Sequence, residues 1–219
     1  MDEPLVAVPI RSFRDAYRRL ARSYSPDERT ALARALAAHT AGTVRRAGVT
    51  PHIVTSATEV RDWALAEGHR VVADPPGGGL NGAADEAVRL AAGRPWLILH
   101  ADLPCLSPDE VGQALDVARS GERVLAPSYD GGTSALGGRG RHPFRYGAAS
   151  FHRHLPAGPP PRVITSLGFL LDIDRPQDLA AAARHPRGAW LADGAVPLVV
   201  CLCNGGVVWR GSGVPRKAR

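Results

Sequence analysis

The residues best able to do chemistry in this chain are carboxylates at the ends of apolar runs. In WLILHADLP, Trp96 to Pro104, β-compatible residues run into a polar cluster, which predicts a buried parallel strand ending at Asp102. The carboxyl ends of such strands in an open α/β sheet face the ligand crevice, so an acid there sits where anionic substrates and their metals bind. Asp102 is therefore a candidate ligand for Mg²⁺, a hard cation that prefers carboxylate oxygens and keeps some of its waters. An Asx turn after a strand accounts for the same residue. The run SLGFLLDID, Ser166 to Asp174, predicts another strand ending in acids. Asp172 and Asp174 are two apart and share a side on an extended chain, where they repel unless a cation or hydrogen bonds compensate them. With Asp102 they make a candidate divalent-metal site, although Asp174 also stands where the helix starting at Pro176 needs a cap.

Groups that can hold an anion lie on either side of these acids in the chain. A basic loop, RSFRDAYRRLARSY, follows the first apolar run and carries Arg11, Arg14, Arg18, Arg19 and Arg22. Loops in that position commonly hold phosphates, and a solvated amphipathic helix is the plainer reading of the same arginines. In DPPGGGLN, Asp74 to Asn81, consecutive glycines permit positive φ and let backbone approach a ligand, while Asn81 can cap the next helix. This is neither a Walker A loop nor G-x-G-x-x-G, and a simple turn fits it too. Thr133, Gly147 and Ser150 can supply small donors to a bound anion. His152 and His154, two apart in a helix-like segment, point away from each other, which argues against a metal pair.

The elements that must position these groups alternate. Leu5 to Ile10 predicts a strand with Pro9 at its end. Ser25-Pro26-Asp27-Glu28 is a capping box opening a helix to about Ala47, and Ser107-Pro108-Asp109-Glu110 repeats it. Strands over His52–Ser56, His69–Ala73 and Arg123–Pro127 interleave with helices capped at Thr58 and Asn81, which implies parallel strands joined by right-handed crossovers. Asp130 to Leu136 predicts a hairpin-like insertion closing over an open sheet edge. Beyond residue 187 the chain changes character: two β-like runs flank Asn204-Gly205-Gly206, a hairpin signal, and a basic end rich in Gly and Pro predicts disorder. The organisation expected is one domain over 1–187 and an extension over 188–219.

With 219 residues, 44% hydrophobic and 22% charged, the chain is of ordinary globular composition. Its net charge is +6, yet only Lys217 among 27 basic residues is a lysine, and aromatics are 5%. Arginines scattered along helices, without clustered aromatics, favour anionic small molecules over nucleic acid. Three cysteines, Cys105, Cys201 and Cys203, have no zinc spacing and predict no disulfide framework. The start has no signal-peptide pattern, and the apolar run Ala195 to Cys203 falls short of a membrane span of roughly 20 residues, so a cytoplasmic protein is expected.

Taken in order, VPIRSF, the Ser-Pro helix start, DPPGGGLN, HADLP, DGGTSAL, FRYGAASFHRH and LLDIDRPQDL resemble the 2-phospho-L-lactate guanylyltransferase family, which includes phosphoenolpyruvate guanylyltransferases of coenzyme F420 biosynthesis. The resemblance covers about Leu5 to Arg184. It implies a Rossmann-like, GT-A-type nucleotidyltransferase fold: α/β, three-layered, with a mostly parallel sheet and a small β insertion. It also implies transfer of GMP from GTP to a three-carbon phosphocarboxylate, releasing pyrophosphate. Asp102, Asp172 and Asp174 match the acids that hold Mg²⁺; Thr133, Gly147 and Ser150 match acceptor-binding positions. Pro9, Arg11, Ser12, Arg19, Gly78, Gly79, Leu80 and Asn81 fall where the nucleotide is contacted, with Arg11 and Arg19 beside Asp102 as the catalytic set. Arg11 and Tyr17 stand where the family usually has lysine, Ser134 where it has asparagine, and His100 where proline is common. A nucleotidyltransferase or glycosyltransferase of this fold with another acceptor, and a nucleotide-binding relative without turnover, are the competing readings. The oligomeric state is open, a homodimer included.

Overall fold

The computed structural model describes residues 3–192 and the backbone of 199–203 and 206–210. In chain order the elements are β1 (Leu5–Pro9), α1 (Pro26–Arg46), β2 (His52–Thr55), α2 (Thr58–Ala66), β3 (Arg70–Ala73), α3 (Gly79–Ala91), β4 (Trp96–Leu99), α4 (Pro108–Arg119), β5 (Val124–Pro127), β6 (Thr133–Gly138), α5 (Ser150–His154), β7 (Arg162–Val163), α6 (Leu167–Leu170), α7 (Pro176–Arg184), β8 (Val199–Cys203) and β9 (Gly206–Arg210). Both Ser-Pro capping boxes form: Ser25 Oγ accepts the Glu28 amide, Ser107 Oγ accepts the Glu110 amide, and each glutamate returns a bond to its serine amide. Such reciprocal caps satisfy donors that a helix start otherwise leaves unpaired.

Seven strands make one sheet in the order β3-β2-β1-β4-β6-β5-β7. All neighbours are parallel except the two pairs made by β6, which is antiparallel to both β4 and β5. The mostly parallel α/β architecture expected from the alternating pattern is therefore what forms. Helices on both faces bury it, and β1 and β4 are apolar over nearly their whole length, as strands covered on two sides must be. From β1 the chain moves outward to β2 on one side and returns through β4 on the other, so the strand order reverses between them. Ligand crevices open at such a switch point, beyond the carboxyl ends of the strands.

The structure corrects five local expectations. The Asp130–Leu136 segment does not close over a sheet edge: β6 is inserted between β4 and β5, where Gly137 has no side chain because a Cβ would meet Val124, Trp96 and Leu97 within about 3 Å. Ser166 to Asp174 is not a strand but the short helix α6 followed by extended chain, because the buried Glu110 carboxylate accepts the Gly168 amide at 3.0 Å and anchors a helical turn. Asn81 does not cap α3, which already begins at Gly79; its Oδ1 accepts the Tyr146 amide at 2.8 Å instead. Helix α2 starts at Thr58 itself, with Ala57 as the uncapped flank, and the basic loop forms only a 3-10 turn over Arg18–Leu20 rather than an amphipathic helix.

The packed chain continues through Leu191, which is buried, and Trp190 donates its indole N–H to the Pro104 carbonyl at 3.0 Å. Strands β8 and β9 pair antiparallel, as the hairpin signal implies; the turn residues 204 and 205 and the basic end lie outside the described residues. Among the described residues no helix is long and apolar enough to cross a membrane.

Candidate active site

Beyond the ends of β1 and β4 lie two adjoining cavities, of about 250 and 510 Å³. The smaller is walled by Pro9 at the end of β1, by Arg11 and Ser12 just after it, by Phe13 and Ala16, and by Ala33 and Ala37 of α1. The larger is lined by Arg19, Asp130, Thr133, Gly147, Ser150, Asp172 and Asp174. Tyr17, Leu80, His100 and Asp102 line both and form the partition. A larger shallow depression near Arg46 and Asp109 is far from these strand ends and carries no convergent chemistry.

Each acid is delivered by a specific local feature. Asp102 follows β4 in a short turn, and its carbonyl accepts the Ile173 amide at 3.0 Å, stitching the Asp172–Asp174 segment to the end of the central strand. Along that segment Ile173 is buried in the core, and the flanking Asp172 and Asp174 both line the larger cavity. The shared side expected from their spacing thus holds even though the predicted strand does not. Asp178 then fixes the exit: its carboxylate accepts the amides of Asp174 and Arg175 at 3.0 and 2.6 Å and the Tyr129 hydroxyl at 2.8 Å. Asp174 therefore does not cap α7; Asp178 does that work from inside the helix.

The electrostatics of the acids are unbalanced. Burial pushes the Asp102 carboxyl above its ordinary range, opposed by the His100 side chain and reinforced by Asp174 and Asp130. Asp172 is pushed up to about 8, by burial first and then by Asp102 and Asp130. One oxygen of each, Oδ1, is buried without any hydrogen-bond partner. Orphaned carboxylate oxygens of this kind are what a hard divalent cation satisfies. Asp174 differs, being ion-paired with Arg19. Among the described residues no three Asp, Glu, His or Cys side chains are grouped so as to hold a metal unaided. Two carboxylates nevertheless suit Mg²⁺, which is commonly bound by one or two protein acids together with substrate phosphates.

The other expected residues divide between the cavities. Pro9, Arg11 and Ser12 lie on the smaller one, where Ser12 Oγ donates to Glu59 at 2.9 Å. Arg19 is on the larger side, among the acids, away from the rest of the set expected to contact nucleotide. Of the glycine-loop group only Leu80 reaches a cavity wall; Gly77 and Gly79 hold positive φ, and Gly78 lies so close to Gly82 that a Cβ would meet its Cα at 2.8 Å. Thr133, Gly147 and Ser150 come together, with Ser150 Oγ 3.1 Å from Thr133 Oγ1. Gly147, at φ +119°, adopts a backbone that side chains disfavour.

Three participants were not assigned roles from the sequence, and a fourth, His154, reads there as a supporting or surface residue. Asp130, held by Ser128 Oγ at 2.5 Å and the Gly132 amide at 3.0 Å, adds a fourth acid to the wall. It reads as an ordinary turn residue beside two glycines. Tyr17 and His100 are departures from the resembled family, but only the fold puts them on the partition. His154 touches Thr133, and the signal for it was the four-residue spacing from Ser150, which places both on one helix face.

The guanylyl transferase CofC-like family model matches residues 5–190. The chain belongs to that family. Over most of its length it is 36% identical to the 3-phospho-D-glycerate guanylyltransferase of Phenylobacterium zucineum, covering 88% of this chain and 94% of the relative. It is 34% identical to the phosphoenolpyruvate guanylyltransferase of Salinispora arenicola, with the same coverage of each, 88% and 94%. A solved structure from Desulfovibrio desulfuricans G20, described as a nucleotide-diphospho-sugar transferase, superposes with a TM-score of 0.71 at 18% identity, over 88% of this chain and 95% of that one. The expected nucleotidyltransferase fold and guanylyltransferase family are therefore both found.

Proposed function

We propose that this protein is a Mg²⁺-dependent guanylyltransferase that transfers GMP from GTP to a small phosphorylated carboxylate: phosphoenolpyruvate, 3-phosphoglycerate or 2-phospho-L-lactate. The observation that carries the reading is the shared wall: two cavities of different character meet at Asp102, so two ligands bound side by side would present their reacting ends to the same carboxylate. The nucleotide takes the smaller cavity, its base against Phe13, Ala33 and Ala37 and its phosphates towards Arg11. The acceptor takes the larger one, against Thr133, Gly147 and Ser150.

The acceptor phosphate is itself a nucleophile, so no general base is needed, and the site contributes alignment and charge neutralisation. An acceptor phosphate oxygen attacks the α-phosphorus of GTP; the new O–P bond forms as the α–β bridging bond breaks, and pyrophosphate leaves with the bonding pair. Asp102 and Asp172 would hold Mg²⁺, which when bound offsets phosphate charge. Arg19 stays beside Asp174 and keeps a positive charge at the mouth of the acceptor cavity. We place the step in coenzyme F420 biosynthesis, a reading the family resemblance supports, and in the cytoplasm.

Incubation with GTP, Mg²⁺ and each of the three acids, with pyrophosphate measured, tests the reading. Release that needs both metal and one of the acids is expected. GTP binding without release for any acceptor would leave a nucleotide-binding relative instead.

A further inference from the structure

The inference rests on the acceptor reading just given and concerns what gives that site its direction. Thr133 Oγ1 lies 3.0 Å from His154 Nδ1 and 3.1 Å from Ser150 Oγ, and all three side chains are buried. The other ring nitrogen, Nε2, is 2.8 Å from the Arg145 backbone N–H. A nitrogen that accepts an amide proton carries none of its own, so in the neutral ring the single N–H is on Nδ1 and is donated to Thr133. The ring is neutral: burial first, then His142, Arg153, Arg123 and His100, lower it to about 4. It is also held in place. Tyr146 packs edge-on at 4.9 Å, and the buried Arg123 guanidinium donates to the carbonyls of His154 and Leu155 at 3.2 and 2.9 Å.

Thr133 Oγ1 has two lone pairs and one proton, and His154 takes up one lone pair. Either Ser150 donates to Thr133, leaving the threonine proton free, or Thr133 donates to Ser150, leaving the serine proton free. In both orders the network ends in one unused O–H, on a residue that lines the acceptor cavity. Without the imidazole the pair would keep three unused lone pairs instead of two, one of them on Thr133 where the ring now donates, and would repel an anion more.

We propose that His154 is a positioning residue which, by donating to Thr133, takes up an acceptor site of the Thr133–Ser150 pair and biases the pair towards donating its free O–H to the anionic oxygen of the acceptor. Nothing in this role touches the nucleotide cavity, so its effect is confined to the acceptor.

Two substitutions separate the two ring nitrogens. His154→Asn keeps an N–H near the Nδ1 position, and His154→Gln keeps an acceptor near the Nε2 position while losing the bond to Thr133. Acceptor and GTP KM are measured by pyrophosphate release, and phosphoenolpyruvate affinity by calorimetry, with melting curves for each variant. His154→Gln is expected to raise acceptor KM and Kd about 10- to 100-fold, the range for one hydrogen bond to a charged group, with GTP KM unchanged. His154→Asn should largely retain wild-type values, and His154→Gln should add little in a Thr133→Val background because the two act through one bond. In the wild-type protein, nitrogen NMR of labelled histidine should report the Nδ1–H tautomer for His154, a result that needs no variant to fold. The Nε2–H tautomer, equal behaviour of Asn and Gln, or an unchanged acceptor affinity would overturn the proposal. Phosphoenolpyruvate binding without pyrophosphate release would end the transferase reading and leave the His154 role standing; turnover with indifferent His154 variants would end the role alone. Failure to bind any of the three acids would overturn both.

Discussion

The two cavities at the sheet switch point share a wall and little else. The smaller is lined largely by apolar side chains, Ile10, Phe13, Ala16, Ala33 and Ala37, which are the inner ends of the hydrophobic core. The larger is lined by acids, hydroxyls and two arginines, Arg18 and Arg19, several of these groups tied to one another. An aromatic base with a flexible charged tail suits the first, since contact area supplies affinity and a few polar groups fix orientation. A small anion with little apolar surface can be held only by the second kind of wall. Within the larger cavity there is a further contrast: each oxygen of the hydroxyl side has a hydrogen-bond partner, with one O–H left over, whereas Asp102 and Asp172 are left with orphaned oxygens. Those unsatisfied groups are the part that ligands must complete.

The largest effect should come from the partition itself. Asp102→Asn removes a charge that both cavities face, and turnover is expected to fall on the order of 10³-fold, corresponding to the several kcal/mol of charge stabilisation a bound metal supplies. Melting should change little, because the fold uses the Asp102 carbonyl and leaves the Oδ1 atom unpartnered. Wild-type rates in this variant would remove Asp102 from the reaction centre.

A smaller and one-sided effect is expected at Arg11, which lines only the smaller cavity, the one proposed to take the nucleotide. Arg11→Met should raise GTP KM about 10- to 100-fold through loss of a charged hydrogen bond, with acceptor KM unaffected. This mirrors the His154→Gln expectation, in which only acceptor KM moves. If both variants shifted both constants together, the division of labour between the cavities would be wrong.

Much of this arrangement was legible in the sequence where structure is decided locally. Each capping box needs only residues three apart, and each is present with its reciprocal bond. The apolar runs of β1 and β4, followed by polar residues, placed Asp102 near a strand end because burial on both faces leaves that pattern, although β4 stops at Leu99 and Asp102 lies in the turn beyond it. The failures occur where a distant partner decides. SLGFLLDID is apolar enough for a strand, but the Glu110 carboxylate, far away in sequence, captures the Gly168 amide and starts a helical turn. Asn81 has the composition of a cap, and a loop more than sixty residues on takes its side chain. Insertion of β6 between β4 and β5 is likewise a matter of pairing rather than of pattern. Asp172 and Asp174 line one cavity together despite the wrong secondary structure, because the extended stretch around Ile173 keeps them on a shared side.

The smallest effect tests the contrast inside the larger cavity. The Asp172 carboxyl rises from an ordinary value of 3.8 to about 8, so ionising it in the folded protein costs free energy that the unfolded chain does not incur. A raised carboxyl means that the folded state binds the extra proton between those two values; stability is greatest below the unfolded value and falls as pH rises towards about 8. Metal-free protein should therefore lose Tm between pH 4 and pH 8. Asp172→Asn should flatten that slope and raise Tm at pH 8 by several degrees, given that about 1 kcal/mol moves a domain of this size by roughly 2–4 °C. Mg²⁺ should stabilise the wild type more at pH 8 than at pH 5, since it binds the ionised form, and should do less for the variant. A variant less stable than the wild type at pH 8 would mean that Asp172 is already compensated, and that the acid side is as fully satisfied as the hydroxyl side.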